Sequence, residues 1–124
     1  MEAKNLRVTN FVNNDRVANA IIFIGYDSVE LITPQGNNIT ARLELIKPIE
    51  LSEKWLINLG FTKNGVLYEH GKFAIKEWQV GSDNQWQLFW GDCHIKHAIN
   101  MKVHELQNLF FALTDTELSF EKRM

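Results

Sequence analysis

The sequence predicts a single domain of the α+β class, mostly β, and three observations support this. Short apolar runs have the two-residue period of strands, and Gly, Pro, Asn and Asp separate them. Two other segments have the 3.6-residue period of amphipathic helices. A chain of 124 residues with 45% hydrophobic and 23% charged residues can bury a core without a disulfide or a metal. We expect residues 1–124 to form one domain in three parts, residues 5–48, 52–60 and 64–120.

The first part, residues 5–48, is predicted as a small β unit. Asn and Asp at 13–15, the reversal at 25–27 and the Pro- and Gly-containing segment at 34–38 supply its turns. The run at 20–24 is apolar throughout, which is typical of a strand covered on both faces. Short strands with tight turns favour a bent sheet or an SH3-like barrel. The predicted strands are residues 6–12, 17–25, 29–32 and 39–45.

A short linking helix is predicted over residues 52–60. Ser52 can accept hydrogen bonds from the first free amides, and Glu53 lies where the helix dipole favours a negative charge. Gly60 suits the left-handed position that ends a helix, and Phe61 after it can fold back as in a Schellman ending. The side chains predicted to face the core are Trp55, Leu56 and Leu59.

The last part, residues 64–120, is predicted as an antiparallel β-meander with one long C-terminal helix packed on it. Glycines 71, 81 and 91 punctuate the meander. The helix is predicted over residues 102–113, with an apolar stripe at helical spacing. The strands are predicted at residues 66–70, 73–80, 86–90, 94–99 and, at the edge, 117–120. The helix stripe consists of Val103, Leu106, Leu109, Phe110 and Leu113.

Cys93, His94 and His97 form the densest group of metal-ligating residue types. Side chains three apart on a regular strand point to opposite faces, so the two histidines could not bind one ion without a β-bulge. Adjacent strand residues also diverge, which disfavours a Cys93–His94 nucleophile and base. We therefore predict no metal, no cofactor and no catalytic residue, with Cys93 a small core residue. A small hydrolase using His94 or His97 is the weakest functional alternative.

Acid–base and phosphate chemistry are also disfavoured. Glu69 and Glu77 lie on neighbouring predicted strands and could approach each other, but charges alternating along a solvated face give the same pattern. Gly60, Gly65 and Gly71 lack the spacing of phosphate-binding loops. These residue patterns favour a protein that works by binding over an enzyme.

The predicted working surface is the face of the meander that carries Lys76 and Trp78. If Phe73 and Ile75 face the core, strand alternation places Lys76 and Trp78 on the other face. Burying the Lys76 ammonium unpaired would be costly, and an exposed tryptophan is typical of a protein interface. A second candidate surface is one flank of the long helix, where we favour coverage of Phe111 by the N-terminal unit over exposure to a partner. That flank consists of His104, Gln107 and Phe111.

Two motifs carry a resemblance to a known group of proteins. The segment VHELQNLFFALT followed by EL, at residues 103–118, and the segment IKPIELSEKWL with LGF, at residues 46–61, resemble the signatures of small uncharacterised proteins of gut Bacteroidetes and their phages and prophages. The similarity covers about residues 6–120. It implies the same order of elements, and it implies no activity, cofactor or catalytic residue. Asp115 stands where that group often has glycine, and aspartate tolerates the left-handed conformation that ends a helix.

Charge and composition narrow the functional classes. A net charge of −2 and a pI near 6.1 disfavour a general nucleic-acid coat protein, whose affinity comes mostly from phosphate neutralisation. One cysteine, no apolar leader and no run of about 18 apolar residues predict a cytoplasmic protein, away from the membrane. The resemblance implies that the cell is a bacterial host. We expect a non-enzymatic phage or mobile-element accessory protein that binds an unidentified protein or a second copy of itself. The alternative is a small nucleic-acid-binding β module with a local basic stripe, formed by Arg16, Arg42, Lys47 and Lys72.

Overall fold

The computed structural model of the protein describes residues 6–14, 17–80 and 83–118, with the backbone alone at 78–80 and 83. These residues form two antiparallel five-stranded sheets and two α-helices, which confirms the predicted α+β, mostly β fold. In chain order the elements are β1 (Phe11–Asn14), β2 (Val17–Ile24), β3 (Ser28–Ile32), β4 (Asn38–Arg42), β5 (Ile46–Lys47), α1 (Glu53–Asn58), β6 (Thr62–Asn64), β7 (Leu67–His70), β8 (Phe73–Val80), β9 (Asp83–Trp90), β10 (Cys93–Ile99) and α2 (Val103–Thr114).

The N-terminal sheet has the strand order β4-β3-β2-β1-β5. One turn of 310-helix, Leu43–Leu45, leads the chain from β4 into β5. Ala41 on one edge strand and Ile46 on the other belong to the same buried cluster, so the sheet curls until its two edges share one core. The predicted bent sheet is confirmed, and its strand order is that of an SH3-like barrel. The cluster consists of Leu6, Val12, Ile21, Val29, Leu31, Ala41, Leu43 and Ile46.

The first predicted strand begins later than expected, at Phe11. Asn10 N donates to Arg7 O at 3.0 Å, and Arg7 N donates to Asn10 Oδ1 at 2.7 Å. Within this turn Thr9 has a left-handed φ of 80°. Side-chain and backbone hydrogen bonds of this local kind compete with a strand ladder, so the alternation from residue 6 does not produce extended pairing.

Two further expectations for the N-terminal unit are wrong. The strand predicted to reach residue 45 ends at Arg42, because the 310 turn at Leu43–Leu45 places Leu43 in the core. The apolar run of β2 is covered on one face only, and Phe23 is 57% exposed. A register shift between Ile21 and Phe23 marks a β-bulge, which bends the strand and releases part of the run to the surface.

The linking helix α1 forms as predicted, with both expected caps. Ser52 Oγ accepts a hydrogen bond from Trp55 N at 3.4 Å. Gly60 has a φ of 96°, and Phe61 N donates to Leu56 O at 3.0 Å. This hydrogen bond from the second residue beyond the helix is the defining contact of a Schellman ending.

The C-terminal sheet is the predicted meander, in the order β10-β9-β8-β7-β6. Phe73 and Ile75 on β8 and Trp86 and Leu88 on β9 are fully buried on the face that α2 covers. Strand β6 was not predicted, because Thr62–Asn64 is polar and exposed and has no apolar period. The second core cluster consists of Ile49, Leu51, Leu56, Leu59, Phe61, Tyr68, Phe73, Ile75, Trp86, Leu88, Met101, Val103, Leu106, Phe110 and Leu118.

Helix α2 buries the predicted stripe except at its end. Val103, Leu106 and Phe110 are buried, whereas Leu113 is 40% exposed. At 3.6 residues per turn, Leu113 falls at the margin of the stripe that the other three define, so the prediction that it faces the core is wrong. Asp115 adopts the left-handed conformation, with a φ of 58°, and ends the helix as expected. The predicted edge strand at 117–120 has no strand at residues 117 and 118, and residues 119 and 120 lie outside the described part.

A polar junction, here called the Arg7 clasp, joins the start of the chain to α2 and the segment after it. Arg7 Nε donates to Asn108 Oδ1 at 2.8 Å. Its Nη1 and Nη2 donate to the two carboxylate oxygens of Glu117, at 2.6 and 3.2 Å. The guanidinium also lies 4.4 Å from the centre of the Phe111 ring. Phe111 is therefore covered by the N-terminal unit, as we favoured.

Candidate interaction groove

Strand β10 is an edge strand, and no other strand of the described residues pairs with its outer backbone edge. It lies at one side of the C-terminal sheet, and within the described residues it pairs with β9 alone. Residues 93–97 and Ile99 are exposed, and Ala98 is half-buried. An exposed edge strand presents N–H and C=O groups on which another strand can pair.

The pairing with β9 shows which backbone groups of β10 point outward. Asn100 N donates to Asn84 O on β9 at 2.8 Å. The direction of the backbone groups alternates along an antiparallel strand, so Ala98, two residues earlier, also faces β9. The N–H and C=O groups of His97 and Ile99 therefore point away from β9, toward the free edge.

A groove of about 670 Å³ runs between this edge and one flank of α2. We call it the edge groove. Clefts of this size hold small ligands or short peptide segments. The strand contributes Lys96, His97, Ala98 and Ile99, the loop contributes Met101, and the helix contributes His104, Glu105, Asn108 and Leu109.

His104 is a buried polar side chain in the wall of the edge groove. It is 6% exposed, and its Nδ1 atom is buried with no hydrogen-bond partner within the described part of the chain. Burial lowers the pKa of the imidazole, with a smaller lowering effect from Lys102 and an opposing effect from Glu105. The imidazole is consequently neutral at neutral pH and gives the groove wall a weakly polar lining.

The face of the C-terminal sheet opposite α2, called the outer face, carries both strand histidines. A β-bulge after His94 shifts the register by one residue, so His94 and His97 share this face. The His94 and Phe89 ring centres lie 5.2 Å apart, and His97 Nε2 lies 3.0 Å from Gln85 Oε1. Among the described residues, no group of three His, Cys, Asp or Glu side chains is placed to hold a metal ion.

The other chemical candidates are not brought together. Cys93 is exposed at the start of the edge strand, so the prediction that it lies in the core is wrong. Glu69 pairs with Ala74, and Glu77 pairs with Trp86. Because alternate strand residues face opposite sides, the two carboxylates lie on opposite faces of the sheet and do not form an acid–base pair.

The phase predicted for β8 is confirmed where it can be observed. Phe73 and Ile75 are completely buried, and Lys76 on the other face is half-buried. The backbone of Trp78 pairs with Gln85. The Trp78 side chain lies outside the described part of the chain.

The predicted surface on the flank of α2 is corrected. Gln107 is completely buried. Its Oε1 accepts from Phe11 N at 2.8 Å, and its Nε2 donates to Thr9 O at 3.0 Å. His104 is also buried, and Phe111 lies under the Arg7 clasp. None of the three offers a freely exposed side chain, because the N-terminal unit and the sheet cover them.

The edge groove was not anticipated, although the order of elements contained a signal. A strand that ends a meander and leads directly into a helix lies at a sheet edge, with that helix beside it. Ile95 and Ile99 flank Lys96 on this strand, and they are 37% and 56% exposed. Exposed apolar residues on an edge strand favour pairing with another strand, whereas the lysine between them disfavours aggregation.

Comparison of the chain with protein-family models, with curated proteins and with solved structures finds no match. No helix in the described part of the chain combines the length and the apolar character needed to cross a membrane.

Proposed function

We propose that this protein is a non-catalytic interaction module whose edge groove binds an extended strand of a protein partner. The observation that carries the proposal is the direction of the His97 and Ile99 backbone groups, which point into an open groove walled by α2. A peptide laid between an edge strand and a helix gains main-chain hydrogen bonds from the strand and side-chain pockets from the helix. The role as a phage or mobile-element accessory protein of the bacterial cytoplasm is proposed from the sequence resemblance alone.

The walls of the groove suit an extended chain. Lys96 and Ala98 pair with residues of β9 whose side chains face α2, so they line the helix side of the groove. A bound strand would place every second side chain against this side. Apolar contacts would come from Ala98 and Leu109, and charged contacts from Lys96 and Glu105.

A nucleic-acid-binding module is the second candidate, favoured by the rings on the outer face. Phe89 and His94 could stack on bases, and Lys76 lies on the same face. The net charge of −2 provides little attraction for phosphates, and Glu69 shares the face. We therefore rank this candidate below strand binding.

Nuclear magnetic resonance titrations with library-enriched peptides and with oligothymidine test the proposal. Peptides enriched from a random library on the immobilised chain should shift the amide resonances of residues 96–99 and 104–109. Those of β4, an edge strand of the N-terminal sheet, serve as the matched control and should not move. Enriched peptides that leave residues 96–99 unmoved would contradict the proposal. Shifts of Phe89 and His94 with oligothymidine would support the nucleic-acid alternative instead.

A further inference from the structure

We infer that the strand which fills the edge groove is β10 of a second copy of this chain, so that two five-stranded sheets join edge to edge. The inference rests on the proposed function and names the partner of the same groove. Antiparallel pairing of identical strands gives a closed two-fold dimer in which both copies use the same surface.

The register of this pairing is constrained by symmetry. A two-fold axis between identical antiparallel strands passes through one residue, which faces its own copy. His97 fits this position, because its backbone N–H and C=O both point to the free edge and can exchange two hydrogen bonds. A centre at Lys96 would oppose two like charges, and a centre at Ala98 would leave Ile95 unpaired.

The His97-centred register brings the exposed apolar residues of β10 together. Residue numbers across the pair then sum to a constant from Lys96 to Ala98, and Ile95 of one copy, at the bulge beside this segment, lies next to Ile99 of the other. These side chains are 37% and 56% exposed in the single chain. Pairing would remove apolar surface from water twice, once at each end of the interface.

Charge complementarity supports the same register. Lys96 of one copy lies opposite Ala98 of the other, on the helix side of the groove, where Glu105 also lines the wall. Lys96 has no ion-pair partner among the described residues. Glu105 is exposed, and Lys102 N donates to its Oε1 at 2.8 Å, which holds the carboxylate in place. In the dimer, Lys96 of each copy would form an ion pair with Glu105 of the other, which gives two ion pairs.

The opposite edge of the sheet indicates why the assembly would stop at two copies. Strand β6 consists of Thr62–Asn64, a short, polar and exposed segment. The Lys63 Nζ atom donates to Glu53 Oε1 on α1 at 3.0 Å. Very short edge strands resist pairing, so β10, with seven residues, is the edge of the C-terminal sheet better suited to strand addition among the described strands.

Disulfide trapping tests the register. In a Cys93→Ser background, His97→Cys should form an interchain disulfide, because residues that exchange hydrogen bonds have Cα atoms about 5.5 Å apart, within the range for a disulfide. The matched control Lys96→Cys should not, because each copy of residue 96 lies two residues out of register with the other. If the protein sediments as a dimer but the disulfide forms at residue 96 and not at residue 97, the proposed register is wrong.

Sedimentation with charge-swapped variants tests the contacts. Lys96→Glu and Glu105→Lys should each raise the dimer dissociation constant about tenfold, and the double variant should return it to near the original value. Ile99→Asp should also weaken the dimer, whereas Leu45→Asp, at a residue with the same 56% exposure, should not. A chain that stays monomeric while enriched peptides still shift residues 96–99 would overturn the dimer and keep the proposed function. A monomer whose residues 96–99 no peptide shifts would overturn both.

Discussion

The two flanks of α2 show how one helix can serve structure on one side and binding on the other. On the flank toward the N-terminal unit, Gln107 is fully buried and both ends of its amide are hydrogen-bonded to the start of the chain. On the flank toward β10, Glu105 is exposed beside an open groove. Both flanks carry polar residues in the sequence, so polarity alone does not distinguish a packed flank from a free one. The difference comes from which neighbour the fold brings to each side.

The largest loss of stability is expected for a substitution at Leu106, which lies between the two flanks of α2. Leu106 is completely buried between them, and Leu106→Ala should lower the free energy of unfolding by about 2–5 kcal/mol, because a cavity remains. Urea unfolding followed by tryptophan fluorescence measures it. Leu113→Ala, at the exposed end of the stripe, is the control and should cost less than about 1 kcal/mol. Equal losses at the two positions would show that the buried face of α2 is misassigned.

The packed flank should respond strongly to the loss of one amide. Gln107→Leu removes the acceptor of Phe11 N and the donor to Thr9 O, and leaves these two part-buried backbone groups without their partner. The expected loss of stability is about 1–3 kcal/mol, with faster amide hydrogen exchange at Phe11. Gln87→Leu makes the same change on the outer face and should have little effect. A neutral Gln107→Leu would mean that the junction contributes nothing to stability.

His104, in the wall of the edge groove, is expected to make the stability of the protein depend on pH. Burial lowers the pKa of its imidazole in the folded chain. Histidine in the unfolded chain has a pKa of about 6.5, so the unfolded chain binds the proton more tightly. Stability from this residue is fully present above about pH 6.5 and is lost as the pH falls toward the lowered pKa. His104→Gln removes this loss, so the variant should gain stability relative to the native chain on acidification. A variant that gains no stability relative to the native chain between about pH 7 and about pH 5 would contradict the assignment.

The smallest effect on folding is expected at the open flank. Ile99 is 56% exposed, and Ile99→Asp should change the free energy of unfolding by no more than about 0.5 kcal/mol. The same variant should weaken strand addition. At a chain concentration low enough for the protein to be monomeric, a large loss of stability would show that β10 is covered in the folded single chain, and the two flanks would then not differ.

Local signals predicted the parts of the fold that local chemistry determines. Helix α1 begins after Ser52 and ends before Gly60, and α2 ends at Asp115, all as expected. Capping is predictable because it depends on residues within one turn. The burial of Gln107 was not predictable in this way, since its partners Thr9 and Phe11 lie about a hundred residues away in sequence. The edge groove also depends on long-range order, because β10 becomes an edge only once the whole meander is assembled.

The Arg7 clasp has a consequence for the order in which the chain matures on the ribosome. Arg7 bonds residues 101 and 110 positions further along the chain. The N-terminal unit has its own core cluster and is synthesised first, so it can begin to fold before α2 exists. The clasp must wait until Asn108 and Glu117 have left the exit tunnel. It therefore forms late, and it fastens residue 7 to α2 and to Glu117 only after both sheets have been synthesised.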